Sequence, residues 1–277
     1  MTSNHCMKAE GGLRLCNGER SKPPLFSIIT VVLNGQSFIE NTIRSIIHQL
    51  HPSYEYIIVD GGSNDSTVEI IKRYEPHIDY WVSEPDNGIS DAFNKGLSFA
   101  RGEYVNFQGD GDGFAREDAL SIVESISDNA MLVAARINRI DHLGRVIFES
   151  PVLSCSYKSA MLTRMPFPHQ GLFMNRAYFD KYGLFDPSLR FSMDYELLLR
   201  SYSSPESVKT TDRIIANWRA GGVGSGRERE LFEEYKRIRM KWITLPRWLV
   251  GFISDLASWK FMLTEKLEKS LMANASK

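Results

Sequence analysis

The chain has 277 residues, of which 43% are hydrophobic and 24% charged, and its formal net charge is −1. This length allows one large domain or two small ones with a buried core. The balanced charge and the absence of a long basic run argue against a nucleic-acid partner. The three cysteines lack the spacing of a metal site or a disulfide framework, so we expect a reduced, cytoplasmic location.

The first 24 residues are polar and contain several glycines and prolines. They lack the apolar segment of a secretory signal, and we predict a disordered tail over residues 1–24. No later stretch reaches the roughly 18 uncharged apolar residues that a membrane span needs.

Strands and helices alternate after this tail. Continuous apolar runs predict strands at 26–33, 54–59, 78–82 and 104–107. Apolar spacing and N-cap residues predict helices at 38–50, 65–74 and 90–100. This alternation predicts an α/β fold with an open, mostly parallel sheet flanked by helices, in which ligands bind beyond the carboxyl ends of the strands.

The second half of the chain is less regular. The patterns predict helices at 117–127, 173–182, 193–202, 230–243 and 247–272, and strands at 131–137 and 145–148. Residues 219–229 form a basic, glycine-rich loop, which is either a lid over phosphates or a plain flexible loop. We expect a catalytic domain over residues 25–228 and a helical C-terminal extension over residues 229–277.

Asp110 and Asp112 follow a buried strand on a tight turn. Two carboxylates spaced in this way can converge on Mg²⁺ or Mn²⁺, which prefer one or two carboxylates together with substrate phosphates. The alternative is a solvated Asp-Gly turn.

Other polar residues also follow strands. Asp60 ends an apolar strand and could bind a nucleobase or ribose, whereas Asp65 is more simply a helix cap. The loop and helix start that carry Asn87, Asp91 and Lys95 could meet phosphate or sugar hydroxyls, or only cap the helix and pair with each other.

Downstream, a lone histidine, His169, follows a proline-rich loop and precedes Gln170. Asp194 and Glu196 stand two apart on a predicted helix, so they face different ways. We therefore expect one carboxylate to face a site while the other pairs with Arg200, four residues on.

Together these segments resemble the family 2 glycosyltransferases, which have the GT-A fold, from about Phe26 to Ser225. The segments that carry the resemblance are Phe26–Asn34, Ile57–Thr67, Glu84–Gly96, Gly102–Asp112, His169–Gln170 and Met193–Leu197. The Asp86–Gly96 segment is similar to the bacterial surface-polysaccharide branch.

The resemblance implies a role for each matching residue. The nucleotide sugar would contact Thr30, Val32, Asn34, Asp60, Asn87, Asp91, Lys95 and Asp110. Asp112 and Asp110 would form the DxD-type metal motif, and Asp194 would be the catalytic base. His169, Gln170 and Arg219 would lie near the acceptor or the diphosphate. Gly61 departs from the family pattern, which often has a second aspartate there, and Asp112 is a safer metal ligand than Asp110.

The activity that the resemblance implies is inverting transfer of a sugar, most often from a UDP-sugar, to a saccharide or lipid-linked acceptor in polysaccharide biosynthesis. A sugar-1-phosphate nucleotidyltransferase of related fold is one alternative, but Leu33–Ser37 offers no cation for its phosphate loop. A non-catalytic nucleotide-sugar-binding subunit is another.

The last predicted helix carries an apolar stripe with lysines and arginines nearby. The stripe consists of Leu249, Phe252, Leu256, Trp259 and Leu263. Such a helix could lie at the inner face of the plasma membrane as a peripheral anchor, or pack in the core or in a homodimer.

Overall fold

The structure is a computed structural model that describes residues 8–17, 22–153, 156–222 and 224–275. Of residues 17, 262 and 264–275 it describes the backbone alone. Its strands within these ranges are β1 (Ala9–Gly11), β2 (Phe26–Val32), β3 (Tyr54–Asp60), β4 (Tyr80–Ser83), β5 (Tyr104–Gly109), β6 (Gly113–Phe114), β7 (Leu132–Ile140), β8 (Val146–Glu149), β9 (Leu172–Asn175) and β10 (Val208–Arg219). Its helices there are α1 (Leu13–Asn17), α2 (Ile39–Ile47), α3 (Thr67–Arg73), α4 (Ile89–Phe99), α5 (Ala119–Ser127), α6 (Tyr157–Ala160), α7 (Arg176–Tyr182), α8 (Met193–Leu199), α9 (Glu228–Trp242) and α10 (Arg247–Ala275). Short 3₁₀ turns cover Glu75–His77 and His169–Gly171.

The strands form one mixed sheet in the order β1-β4-β3-β2-β5-β9-β7-β10-β6, with β8 added to β7. Strands β4, β3, β2 and β5 run parallel, as the alternation of strands and helices predicts. β9 enters antiparallel between β5 and β7, whereas β7 and β10 are parallel to each other. The predicted open, mostly parallel sheet is therefore confirmed for the first half and joined to a mixed second half.

Helices cover both faces of the sheet, which is why all seven residues of β2 are buried. α2, α3 and α5 pack their apolar sides on one face, around Ile43, Ile71 and Val123. α4, α7 and α8 pack on the other face, around Phe93 and Leu197. Each such fully buried side chain contributes about 1.5–3 kcal/mol relative to an exposed one.

Three expectations about the chain are corrected. The predicted tail is wrong for residues 8–17, because β1 pairs antiparallel with β4 and α1 follows it; residues 1–7 and 18–21 lie outside the described residues. The predicted helix over 173–182 is a strand up to Asn175 and a helix after it. The long strand β10 occupies a region for which no element was predicted.

The C-terminal helices share the core of the preceding domain. Ile238 and Ile243 on and after α9, and Val250 on α10, belong to the same buried cluster as residues of α4 and α8. Trp242 donates its indole N–H to Glu196 of α8 at 2.7 Å. The extension is therefore packed onto the sheet domain through α8 and not attached by a bare linker.

α10 is amphipathic and exposes its apolar stripe. Four of the predicted stripe residues are exposed, namely Phe252, Leu256, Trp259 and Leu263, and so is Trp248. The fifth, Leu249, is half-buried, and Val250 and Ser254 on the other side are buried. Within the described residues, no helix has the length and apolarity needed to cross a bilayer.

Candidate active site

The carboxyl ends of the central strands bring the predicted polar clusters to one edge of the sheet. Val32 pairs in register with Asp60, and Val31 pairs with Gly109, so Asn34, Asp60 and the turn with Asp110 and Asp112 begin side by side. The convergence expected for a parallel sheet is confirmed.

Asp112 is buried and its carboxylate is held by three N–H donors. Oδ2 accepts hydrogen bonds from Gln170 Nε2 at 2.9 Å and Gly109 N at 3.2 Å, and Oδ1 accepts one from Arg219 N at 2.9 Å. Burial raises the pKa of Asp112 above its usual range, while the nearby His169 and these hydrogen bonds pull it back down. Its carboxylate is thus fixed in place before any ligand binds.

Asp110 is half-buried on the other side of the same turn. Its Oδ2 lies so close to Gly35 that a Cβ there would come within 2.9 Å of it. Burial raises the pKa of Asp110, and the negative charge of Asp112 raises it further. A positive ligand shared by the two carboxylates would relieve this repulsion.

Thr42 and Gly111 shape the turn between the two aspartates. The buried Thr42 hydroxyl accepts from Gly111 N at 2.9 Å and donates to the carbonyl of Asp112 at 2.7 Å. Gly111 has φ +85°, and a Cβ there would lie 2.8 Å from Arg219 Nε. Sequence reasoning missed Thr42, although a hydroxyl within the apolar stripe of helix 38–50 marks it as a residue with a local partner.

Two buried amides on β5 hold the His169–Gln170 turn. Asn106 Nδ2 donates to the carbonyls of Gln170 and Leu172 at 3.1 and 2.9 Å, and Gln108 Nε2 donates to the carbonyl of Gln170 at 3.0 Å. Gln108 also bonds to Asn106 Oδ1 at 2.7 Å. Neither amide was singled out from the sequence, yet polar residues at alternate positions of an otherwise buried strand are the signal for such a network.

His169 and Asp194 form a contact beside Asp112. His169 Nδ1 lies 3.3 Å from Asp194 Oδ2, and both side chains are partly exposed. Burial by itself lowers the pKa of His169, but the hydrogen bond and charge of Asp194, helped by Asp112, outweigh burial and raise it. His169 and Gln170 are consecutive, so one short turn contacts both Asp194 and Asp112.

Glu196 forms the ion pair with Arg200 that the spacing predicts for one of the two carboxylates, Asp194 and Glu196. It is buried and accepts two hydrogen bonds from Arg200, at 2.6 and 3.0 Å, besides the one from Trp242. Asp194, in contrast, faces His169. The predicted ion pair of one carboxylate with Arg200 is confirmed, and the role of Asp194 in a site stays a prediction.

Glu234 of α9 fixes the segment that leads into α8. Its buried carboxylate accepts hydrogen bonds from the backbone N–H groups of Arg190, Phe191 and Ser192 at 3.1, 3.0 and 2.8 Å. Asp194 follows two residues later. No sequence pattern pointed to this contact, because it joins segments more than 40 residues apart.

On the side expected to bind the nucleotide, Asp60 is buried and bonded within the protein. Its carboxylate accepts from the Ser83 hydroxyl at 2.6 Å and from the N–H groups and side chain of the Gly62–Ser63 segment. Thr30 and Val32 are also buried, and Thr30 Oγ1 accepts from the Tyr56 hydroxyl at 3.1 Å. The side chains expected to line the nucleotide pocket on β2 therefore belong to the core.

Asn34 stands beyond the strand end and is exposed, with φ +54°. Its Oδ1 accepts from Asn64 N at 3.0 Å, and its own N–H donates to the Ser63 hydroxyl at 2.7 Å. Asp65 lies one residue before the N-cap of α3 and accepts from Thr67 N at 3.0 Å, which is a structural contact as predicted. A ligand on this side would meet a loop whose backbone is already held by these hydrogen bonds.

Asn87, Asp91 and Lys95 make the local contacts of a capped helix. Asp91 Oδ2 accepts from the backbone and side-chain N–H groups of Asn87 at 3.0 and 3.2 Å. Lys95 Nζ lies 3.9 Å from Asp91 and 3.1 Å from Glu84. This matches the alternative in which these residues pair with each other, while a ligand contact remains a prediction.

The carboxylate of Asp86 occupies the space beside Gly61. A Cβ at Gly61 would lie 2.4 Å from Asp86 Oδ2. Asp86 Oδ1 meanwhile accepts from Gly88 N at 2.8 Å. A carboxylate is thus present next to position 61, but it comes from a different loop.

Arg219 lies at the end of β10, not in the glycine-rich loop. Its guanidinium stacks over the Phe38 ring at 4.2 Å and donates to the carbonyls of Asp141 and His142 at 2.9 and 3.1 Å. Its positive charge lowers the pKa of Asp110, opposing the larger effect of burial. Arg227 and Arg229, the other loop cations, pair with glutamates of α9.

The residues present suit a divalent metal held jointly by protein and substrate. No cluster of three or more His, Cys, Asp or Glu that could hold a metal occurs among the residues described. The protein can therefore offer Asp110 and Asp112 as oxygen ligands, and diphosphate oxygens would have to complete the shell. Mg²⁺ and Mn²⁺ are commonly bound in this way.

Comparison with known proteins identifies the family. The family model described as glycosyl transferase family 2 matches residues 27–183, more than half of the chain. The chain belongs to glycosyl transferase family 2. It is a transferase enzyme, and the matched region includes the segments Ile57–Thr67, Glu84–Gly96 and Gly102–Asp112 and all of Phe26–Asn34 except Phe26.

Curated relatives support the assignment. An uncharacterised glycosyltransferase of Mycobacterium tuberculosis is 31% identical over 210 residues, which cover 74% of this chain and 79% of that protein. A PGL/p-HBAD biosynthesis glycosyltransferase of Mycobacterium bovis is 27% identical over 202 residues, covering 69% of this chain and 75% of that protein.

Solved structures show the same GT-A fold. A mannosyltransferase of Pyrobaculum calidifontis, in complex with GDP-Man and Mn²⁺, aligns with a TM-score of 0.65 at 15% identity over 92% of this chain and 80% of that one. Residues 1–349 of TarS from S. aureus, in complex with UDP-GlcNAc, align with a TM-score of 0.63 at 18% identity over 83% of this chain and 70% of that one. The predicted GT-A fold is confirmed.

Proposed function

We propose that this glycosyltransferase moves a sugar from a UDP-sugar to a saccharide or lipid-linked acceptor, with inversion at the anomeric carbon. The observation that carries this proposal is the turn at His169–Gln170, whose two side chains contact Asp194 and Asp112. A base and an acidic diphosphate-binding turn are thereby held next to each other. Single displacement needs these two functions on either side of the reacting carbon.

Asp194 is the general base of this proposal. Its Oδ1 accepts from Tyr195 N at 2.7 Å and its Oδ2 contacts His169, so the carboxylate is oriented from two directions. In the reaction it takes the proton of the acceptor hydroxyl as that oxygen attacks the anomeric carbon, and the bond to the diphosphate breaks. A positioned base contributes about 10²- to 10⁴-fold to the rate.

Asp112, with Asp110 as its helper, would hold the Mg²⁺ or Mn²⁺ on which the diphosphate binds. When bound, such an ion neutralises the charge that builds up on the departing diphosphate. The network of Gln170, Arg219 and Thr42 keeps the Asp112 carboxylate and its turn in one orientation. The Pyrobaculum calidifontis mannosyltransferase complex that contains Mn²⁺ and the TarS complex that contains UDP-GlcNAc support a metal and a nucleotide sugar as ligands.

The donor is tested by a panel of UDP-, GDP- and dTDP-sugars, each with Mn²⁺, Mg²⁺ or a chelator. We expect turnover or hydrolysis of a UDP-sugar that stops when the metal is removed. Preference for a GDP-sugar would correct the nucleotide, and no turnover or metal-dependent binding of any donor would overturn the proposal.

The base is tested by Asp194→Asn and Glu196→Gln. We expect Asp194→Asn to lose at least about 10²-fold in turnover while it still binds UDP and Mn²⁺, because the substitution removes the proton acceptor but not the donor site. Glu196→Gln should instead lower stability through its broken ion pair with Arg200. Full activity of Asp194→Asn would contradict the assignment.

We further propose that the reaction takes place in the cytoplasm and serves bacterial polysaccharide biosynthesis. The scattered cysteines and the similarity to a PGL/p-HBAD biosynthesis glycosyltransferase support this setting. Cell fractionation and the surface-polysaccharide profile of a deletion strain would test the two parts separately.

A further inference from the structure

One face of α10 is an exposed apolar stripe, which we define as Trp248, Phe252, Leu256, Trp259 and Leu263. These side chains are 73%, 63%, 52%, 59% and 42% exposed. At about 100° per residue, the five positions fall within an arc of about 80° on the helix. Two tryptophans, a phenylalanine and two leucines therefore form one continuous surface that faces away from the rest of the protein.

The opposite face of α10 is packed, so the exposure is not that of a detached helix. Val250 and Ser254 are buried, and a Cβ on Gly251 would lie 3.3 Å from Met240 of α9. The ring of Phe261 makes an edge contact with Phe232 at 5.2 Å. α9 thus holds α10 in an orientation that presents the stripe outwards.

The surroundings of the stripe are basic. Arg247 and Lys260, which precede Trp248 and follow Trp259 in sequence, are both exposed. The cleft between α9 and α10 is lined by Glu233, Lys236, Arg237, Met240, Lys241 and Arg247, four of which are cationic. The acidic Asp255 beside the stripe is paired with Lys236 at 2.7 Å.

We propose that the stripe and its basic flanks bind the surface of an anionic lipid bilayer. Tryptophan and phenylalanine on one face with lysine and arginine around them are the features of a helix that lies in a membrane interface. The aromatic rings would enter the boundary between headgroups and acyl chains, and the cations would meet anionic headgroups.

A second copy of the chain fits this surface less well. Pairing of two stripes would bring together two copies of the α9–α10 surface, whose cleft is lined by four cations and one acidic residue. Like charges brought together in this way are unfavourable at an interface. An anionic bilayer complements the apolar stripe and its charges at once, so we commit to the lipid surface.

Co-sedimentation of the full chain with vesicles tests the proposal. We expect the chain to bind vesicles that contain phosphatidylglycerol, to bind pure phosphatidylcholine at least several-fold more weakly, and to be released by high salt. Trp248→Ser combined with Trp259→Ser should weaken binding at least ten-fold. Arg247→Glu should weaken binding to the anionic vesicles only.

A matched control comes from exposed leucines elsewhere. Leu50 and Leu143 are 70% and 65% exposed, and replacing both with serine should leave vesicle binding unchanged. Brominated lipids should quench the tryptophan fluorescence of the wild type through Trp248 and Trp259. This quenching should disappear in the double tryptophan variant. Equal vesicle binding by the wild type and the double tryptophan variant would overturn the proposal.

Two further measurements separate this inference from its alternatives. Sedimentation velocity without lipid should give a monomer, and a dimer that the double tryptophan variant abolishes would assign the stripe to self-association instead. UDP binding with Mn²⁺, measured without vesicles, should be the same in the wild type and the double variant. Loss of vesicle binding alone would therefore leave the proposed sugar transfer standing.

Discussion

At the scale of single residues, Gln170 influences how readily the carboxyl group of Asp112 ionises. Its amide donates to Asp112 Oδ2 at 2.9 Å and lowers a pKa that burial raises. Gln170→Ala removes this donor, so the pKa of Asp112 should rise further and protons should compete better with the metal. We expect Gln170→Ala to bind UDP with Mn²⁺ more weakly than the wild type. As the pH falls, this binding should be lost at a higher pH in the variant, and calorimetry measures both effects.

Gln49 supplies a control for this experiment. It is also a buried glutamine, and its amide donates to the Arg116 carbonyl at 2.8 Å and accepts from Leu120 N at 3.3 Å, away from the aspartates. Gln49→Ala should lower stability but leave the pH profile of UDP binding in place. An equal shift in the two variants would mean that the profile reports folding and not Asp112.

His169 should make stability depend on pH. Its pKa in the folded protein is raised above 6.5 by Asp194 and Asp112 despite its burial. The stabilisation is therefore complete below the unfolded pKa and is lost as the pH rises through the folded pKa. His169→Gln should destabilise the protein more near pH 6 than near pH 9 in urea unfolding. The pH dependence of stability should be smaller in Asp194→Asn than in the wild type. A stability difference between the wild type and His169→Gln that grows with pH would contradict this account.

The sequence allowed some of these roles to be predicted and not others. Helical spacing separates Asp194 from Glu196, because residues two apart point in different directions. Strand β2 is covered on both faces, so alternation cannot reveal which side chains reach a ligand. Thr30 and Val32 are buried, and their contact with a nucleotide stays a prediction.

At the scale of elements, α9 holds the segment before α8 through Glu234. Glu234→Ala leaves the N–H groups of Arg190, Phe191 and Ser192 without their acceptor, which costs about 1–3 kcal/mol for a buried group. We expect a lower free energy of unfolding and a lower kcat with little change in the donor KM, because Asp194 loses its fixed position. Steady-state kinetics and urea unfolding measure the two effects.

Glu233 is the matched control on the same helix. It is exposed and pairs only at the surface with Arg229, where such pairs contribute about 0–1 kcal/mol. Glu233→Ala should therefore leave both kcat and stability nearly unchanged. If it behaved like Glu234→Ala, the effect would belong to α9 as a whole and not to the anchored loop.

Local patterns fail at elements whose partners are distant in sequence. β10 contains the polar run Lys209–Arg213 and became a strand by pairing with β7, some 75 residues earlier. β9 is four residues long and joins β5 to β7, so its pairing outweighed the helical pattern of Phe173–Tyr182. The parallel half was predictable because β2, β3 and β4 are each followed by their own helix.

At the scale of the whole molecule, the C-terminal extension completes the core of the enzyme. Ile238, Ile243 and Val250 are buried in the cluster that contains α8. A chain ended at residue 228 would expose this cluster, and we expect it to lose cooperative unfolding and UDP binding. A chain ended after Leu263 keeps these contacts and should unfold like the full protein. Calorimetric unfolding of both chains provides the comparison, and a stable 1–228 chain would show that the extension is dispensable.

The side chain of Asp86 beside Gly61 affects which residues position 61 can accept. Asp86 Oδ2 occupies the space that a Cβ at position 61 would need, 2.4 Å away. Gly61→Asp alone would bring two carboxylates together and force Asp86 aside, whereas Asp86→Gly first would clear the space for it. Because the carboxylate of Asp86 can turn aside, the main obstacle to Gly61→Asp alone is repulsion between the two carboxylates, which Asp86→Gly in the same chain would remove.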